Sequence, residues 1–170
     1  MKIQFLTSAH NSLSQRLMIE LTGCGHQVIV TLATNEKTMV RAVDQHSPDL
    51  IIAPSSEDAH QDHRTIGELV PTVFRDQLYL AYEIPKWDGD MSRPSMYVPL
   101  PAGTAHRKVE LLHKCFPSQR DRDWWDDEVF LGLARLRGME CRARYAEAFR
   151  CAKSVIVPSA PTLGTSREEI

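Results

Sequence analysis

Glu57-Asp58-Ala59-His60-Gln61-Asp62-His63, inside the polar stretch Ser55–Arg64, gathers three carboxylates and two histidines. His60 and His63 are three apart, a spacing that lets two imidazoles converge on one ion or one substrate atom within a helical turn. A carboxylate beside such a pair, Asp62 between them or Asp58 upstream, accepts the second ring N–H and fixes the tautomer. A zinc site needs a third ligand that this spacing does not itself identify; the same letters also describe a polar surface loop.

Location favours chemistry. The stretch follows Asp49-Leu-Ile-Ile-Ala-Pro54, a short apolar run that reads as a buried parallel strand. The cluster therefore falls at the carboxyl end of a strand, where open α/β sheets bind ligands. His10 follows the first predicted strand. If strands one and three are parallel neighbours, it faces the same edge, and three histidines and a carboxylate come within reach of one another.

Other residues carry weaker signals. Tyr82, Trp87 and the Trp124-Trp125 pair are candidates for stacking against a sugar ring, although Trp125 on a helix reads first as core. Trp87 lies in the turn-rich loop 86–95, which is placed to overhang a site. Arg135, Arg137, Arg142 and Arg144 are a basic cluster that suits either an anion or a solvated helix face. Ser8-Ala-His-Asn-Ser lacks the G-x-G-x-x-G pattern, which weakens a dinucleotide reading.

The elements that must position these residues follow from periodicity. Lys2–Ser8 reads as a first strand. Ser12 and Gln15 have capping-box spacing ahead of a helical face of Leu13, Leu17, Leu21 and Cys24. His26–Ala33 is a second strand and Asn35–His46 a short helix; with the third strand this makes a βαβαβ half-sheet of parallel strands. Ile66, Leu69, Val70, Val73 and Phe74 fit a helix that Asp62 would cap and Pro71 would kink or break. Leu78–Ile84 predicts a strand, and Met96–Leu100 a short one whose Pro99 favours an edge. Helices are predicted over Thr104–Phe116 and Asp121–Arg137, the latter with Trp125, Val129, Leu133 and Leu136 inward and Gly138 past its end. Tyr145–Phe149 reads as helix or turn, Lys153–Val157 as a last strand, and residues 158–170 as a disordered tail.

Bulk properties limit the function classes. At 170 residues the chain is long enough for one well-buried core. Twenty basic against 22 acidic residues, a net charge of -2, give no polyelectrolyte signal for nucleic acid. No apolar run approaches the roughly 20 residues of a membrane span. Four scattered cysteines suggest neither a disulfide scaffold nor a zinc knuckle, and the N-terminus opens on a strand, so a cytoplasmic protein is expected.

From residue 49 to about 157 the chain resembles the PIG-L (LmbE-like) deacetylases. The matching residues are Asp58-Ala-His60-Gln-Asp62-His63-Arg64, Tyr82-Glu-Ile-Pro-Lys-Trp-Asp-Gly-Asp90, Phe116-Pro-Ser-Gln119, Arg135-Leu-Arg-Gly-Met-Glu140 and Tyr145-Ala-Glu-Ala-Phe149. The resemblance implies a zinc-dependent hydrolase that removes an N-acyl group from a small-molecule amino sugar or related amine. It implies His63 as the downstream zinc ligand and His60 as the acid that protonates the leaving amine, supported by Asp62. Trp87 and Arg64 are the candidate substrate contacts.

The family's upstream Ala-His-Pro-Asp-Asp corresponds here to Ala9-His10-Asn11-Ser12-Leu13. His10 matches a ligand; the second ligand and the general base are missing, with Asp58 or Glu57 as substitutes. Reduced activity, or a non-catalytic binding or structural role, follows from that loss. Thr7-Ser-Ala-His-Asn-Ser-Leu-Ser-Gln-Arg16 resembles instead the N-terminus of formyltransferase-like hydrogenase-maturation proteins, which implies a composite with a junction near 48–54, or a formyltransferase-like fragment. The expected architecture is an α/β domain over residues 1–157, with a Rossmann-like, mainly parallel sheet flanked by helices.

Overall fold

The computed structural model describes residues 1–7, 25, 27–32, 48–101 and 103–154. Six strands, β1 (Lys2–Thr7), β2 (Gln27–Leu32), β3 (Leu50–Ala53), β4 (Leu78–Tyr82), β5 (Met96–Leu100) and β6 (Tyr145–Cys151), form one sheet in the order β2-β1-β3-β4-β6-β5. The β1–β2, β1–β3 and β3–β4 pairs are parallel; β6 runs antiparallel to both β4 and β5. Among the described residues the α-helices are α1 (Gln61–Val73), α2 (Thr104–Cys115) and α3 (Asp127–Glu140). This is the mainly parallel α/β sheet that the sequence predicts, with an antiparallel extension at one side. No helix among the described residues is long and apolar enough to cross a membrane.

All four residues of β3 are buried, as its unbroken apolar run requires. Its side chains alternate between two cores. Ile51 and Ala53 pack with Ile66, Val70 and Phe74 from α1 and its C-terminal cap. Leu50 and Ile52 pack with Ile3 and Leu80 on the other face. A third cluster, Val109, Leu112 and Phe130, joins α2 to α3 and takes in Phe116, Trp124 and Trp125 at its margin.

Several local expectations are corrected. Helix α1 runs through Pro71 to Val73 without a break. The lost N–H there removes one bond, while buried Val70 and Phe74 hold the turn to the core and Phe74 N–H still reaches the Val70 carbonyl. Helix α3 begins at Asp127 with Asp126 as its N-cap, six residues later than Asp121, so its inward face is Phe130, Ala134 and Arg137. Val129 and Leu136, expected inward, are 38% and 45% exposed. Gly138 does not stop the helix. A side chain there would meet the Arg144 carbonyl oxygen and Tyr145 Cα at 2.7 Å, so glycine permits the approach of α3 to β6.

Tyr145–Phe149 is strand rather than helix or turn. Ala146 and Ala148 alternate with half-buried Tyr145, Glu147 and Phe149, and the strand continues to Cys151. Lys153 and Ser154 have no regular structure; residues 155–157 of the expected last strand, the 158–170 tail and the helices expected over 12–24 and 35–46 lie outside the described residues. Pro99 stands on β5, at the end of the strand order, as an edge position predicts.

Candidate functional site

The loops that leave β3 and β4 emerge at one sheet edge, because the two strands are parallel neighbours, with Ala53 opposite Ala81. The first is a tight turn. Ser55 Oγ accepts the Glu57 N–H at 3.1 Å and the Ser55 carbonyl accepts the Asp58 N–H at 3.3 Å. Helix α1 then passes so close that a Cβ on Gly67 would lie 2.4 Å from Ser56 N and 2.5 Å from the Ser55 carbonyl carbon. The glycine sets the depth at which the start of α1, and with it His60 and His63, sits over the strand end.

His60, rather than Asp62, is the N-cap of α1: its Nδ1 accepts the Asp62 N–H at 3.3 Å. A ring nitrogen that accepts carries no proton, so the neutral ring bears its proton on Nε2. His63 has the opposite arrangement. Its Nδ1 lies 3.1 Å from Asp58 Oδ2, and a carboxylate only accepts, so Nδ1 donates and Nε2 keeps a lone pair. The two rings are 4.8 Å apart between centroids and tilted by 38°.

Asp58 is the hub. Its side chain is only 8% exposed. Oδ2 accepts from His63; Oδ1 accepts the His60 N–H at 2.8 Å and lies 3.2 Å from Lys86 Nζ. Lys86, on the loop after β4, also contacts Asp90 Oδ2, which accepts the Ala59 N–H at 2.7 Å. Burial pushes the Asp90 carboxyl up, but the Ala59 N–H and the Lys86 ammonium outweigh it and hold the group below its ordinary value. Ser55, Asp58, Tyr82, Glu83, Lys86 and Asp90 line a small cleft here, with Met91 and Ser92 at its rim. Burial, and after it the Asp58 charge, raises the Tyr82 phenol well above its usual range, so it stays protonated. Glu83 is bound at the back by Arg137 of α3, whose Nε and an Nη donate to it at 2.9 and 2.6 Å while the other Nη reaches Glu140 at 3.0 Å.

Asp58, His60 and His63 come together. Asp62 is exposed on the first turn of α1 and contributes its N–H to His60. Arg64 reaches back, one Nη donating to the Asp58 and Ala59 carbonyls at 3.1 and 3.0 Å. Glu57 pairs with Arg150 of β6. Trp87 is 63% exposed yet held: its Nε1–H donates to Asp123 at 2.9 Å, the Trp124 ring meets it edge-on at 6.2 Å, and the Arg122 guanidinium lies 5.9 Å from its centroid. Trp125 packs against Phe130 and Phe116, the core role expected of it. Tyr82, expected as a stacking surface, packs into the core beside Leu80 and lines the cleft wall. His10, Ser12 and Leu13 lie outside the described residues. Lys86, Asp90 and Gly67 carry the geometry of the site and were not singled out; the i, i+4 spacing of Lys86 and Asp90 in a loop was the available signal.

Zinc fits the described residues poorly. Among them no three His, Cys, Asp or Glu side chains converge on a common point. Asp58, expected as a ligand, already serves His63, Lys86 and the His60 N–H.

No family model matches the chain. The hydrogenase maturation factor HoxX of Bradyrhizobium diazoefficiens is 42% identical over 62 residues, 36% of this chain and 11% of that protein. HypX of Aquifex aeolicus, solved with tetrahydrofolic acid, is 35% identical over 49% of this chain and 13% of its own, with a TM-score of 0.38. The chain thus spans about a tenth of the curated relative that it matches. Among the structures that align over most of it are two with TM-scores above 0.5. N,N'-diacetylchitobiose deacetylase from Pyrococcus horikoshii is 16% identical over 88% of this chain and 71% of its own, TM-score 0.55. A conserved protein of Thermus thermophilus is 17% identical over 92% and 83%, TM-score 0.59. Both resemblances drawn from the residues are therefore found: the fold is that of the deacetylase, and the N-terminal likeness is to the maturation proteins.

Proposed function

We propose that this chain is a PIG-L-like hydrolase whose cleft acts on an N-acylated amino sugar or related amine. The observation that carries the reading is the contrast between the two Nδ1 atoms, one facing the Asp62 N–H and the other Asp58 Oδ2, which gives adjacent imidazoles opposite tautomers. Amide hydrolysis needs one group to give a proton to the leaving nitrogen and a lone pair to organise the attacking water. His60 Nε2–H is the donor and His63 Nε2 the lone pair. Asp58 orients His63, and Asp62 supports His60 through its N–H. Trp87 offers an exposed, fixed face for the sugar ring, and Arg64 braces the turn under the substrate.

Were zinc bound, His63 Nε2 and His10 would hold it, and His63 would then act on the water only through the ion. The described residues do not complete that set.

A second reading, a cleft that binds such a sugar without turnover, is favoured by the engagement of both Asp58 oxygens and by Ser12 and Leu13 at the family's Asp-Asp positions. Zinc content and hydrolysis of N-acetylated amino sugars, measured on the wild type, His60→Ala and His63→Ala, decide between them. The hydrolase reading expects about one ion per chain, lost in His63→Ala and kept in His60→Ala, with hydrolysis lost in both. Saturable sugar binding with no metal and no turnover leaves the binding role.

A further inference from the structure

We propose that Lys86 is a positioning residue that acts on His63 through Asp58; the inference rests on the reading of His63 as the lone-pair imidazole of the cleft. Lys86 Nζ sits among three carboxylates, 3.2 Å from Asp58 Oδ1, 3.9 Å from Asp88 and in closer contact with Asp90. Its side chain is 13% exposed, beside 8% for Asp58 and 12% for Asp90. Two carboxylates this buried and this close repel each other strongly unless a cation stands between them. Lys86 is that cation.

The consequence reaches the imidazole by two routes. Asp58, fixed on its Oδ1 side by Lys86, presents Oδ2 to His63 Nδ1. Asp90, fixed by the same ammonium, holds the Ala59 N–H and so the turn that leads to His60. Without the charge, the Asp58–Asp90 repulsion opens the seam between the turn after β3 and the loop after β4. The His63 ring then loses the partner that fixes its orientation beside the cleft. A residue that only stabilised the fold would lower the unfolding temperature and leave the bond from Nδ1 intact in the molecules that remain folded.

The test is the imidazole proton itself. In the full-length chain, the His63 Nδ1–H, identified by its disappearance in His63→Gln, is followed by proton NMR for its shift and its exchange with water in the wild type, Lys86→Met, Lys86→Gln and Lys86→Arg. The expected result is an exchange-protected downfield proton in the wild type and Lys86→Arg, and its loss in Lys86→Met and Lys86→Gln at temperatures where both are folded by circular dichroism. Where hydrolysis is measurable, kcat falls about 10²-fold, the scale of a misplacement near 1 Å, with KM little changed, and Lys86→Arg restores most of it. An unchanged Nδ1–H in the charge-free variants overturns the proposal. So does a chain that folds with arginine but with neither methionine nor glutamine, since Lys86 would then serve stability alone. A wild type without hydrolase activity sinks the hydrolase reading instead, and leaves this spectrum to decide the role of Lys86.

Discussion

Replacing Gly67 by alanine should unseat α1 from the turn that it covers. The new Cβ would lie 2.4 Å from Ser56 N, 2.5 Å from the Ser55 carbonyl carbon and 2.7 Å from its oxygen. Non-bonded heavy atoms settle at about 3.5 Å or more, so helix and turn must part by roughly 1 Å. All three obstructing atoms belong to the backbone, and no rotamer change relieves them. Overpacking of this kind costs about 1–3 kcal/mol. Alanine returns up to about 1 kcal/mol through its higher helix propensity. Set against the full gain, the clash leaves a net loss of up to about 2 kcal/mol, or up to roughly 8 °C of Tm for a chain of this size. Gly132 is the internal control: it is also helical, and a Cβ there meets nothing within 4 Å. Gly132→Ala should therefore stabilise by about 0.5–1 kcal/mol. Thermal unfolding of both variants by circular dichroism checks the pair, and the His63 Nδ1–H signal shows whether the displaced helix carries its ring away from Asp58. If Gly67→Ala were as stable as Gly132→Ala, the close approach of α1 would not be what seats the histidines.

Glu83→Ala should cost about 3 kcal/mol in a urea titration, because it strips the buried Arg137 of a bidentate partner and leaves only Glu140; a loss under about 1 kcal/mol would show that the pair is solvated. Tyr79 is raised by burial, against the opposing pull of Arg150, to about 12. A raised folded value contributes stability that is present below the unfolded value of about 10 and is lost as pH climbs from there toward 12, so Tyr79→Phe should flatten the alkaline limb of the stability curve. Asp90 has the reverse sign: its depressed value gives stability present above about pH 4 and lost as pH falls below it, and Asp90→Asn should flatten the acid limb below about pH 4.

Much of the site was legible because it is local. The strand Leu50–Ala53, the turn after it and the first turn of α1 are contiguous, so one apolar run followed by His and Asp at short spacing placed Asp58, His60 and His63 at one strand end. Choosing Asp58 over Asp62 as the partner of His63 required the turn geometry, which letters do not carry. The role of Lys86 was hidden for a different reason: its meaning comes from a partner 28 positions earlier in the chain, and a lysine beside Asp88 and Asp90 looks like an ordinary solvated loop. Strand β6 was missed because Ala146 and Ala148 are as good in helices as in strands. Only their burial against α3 makes the alternation visible. Helix α3 slipped by six residues because the acidic run Asp121 to Glu128 offers more than one residue able to cap.

The place of β6 also bears on how the chain reaches this state. It lies between β4 and β5, pairing Ala81 with Arg150 and Val98 with Glu147, so β5 joins the sheet only through a strand made about 50 residues later. Until β6 arrives, β4 shows an unpaired edge of Leu-Tyr-Leu-Ala-Tyr, an apolar template of the kind that recruits other chains. The turn carrying the histidines gains one further tie in the same event, the exposed pair of Glu57 with Arg150. Distant pairings of this sort are slow to close. A growing chain therefore passes through a sticky interval that ends when β6 docks, and the histidine-bearing edge and protection against self-association are completed in the same step.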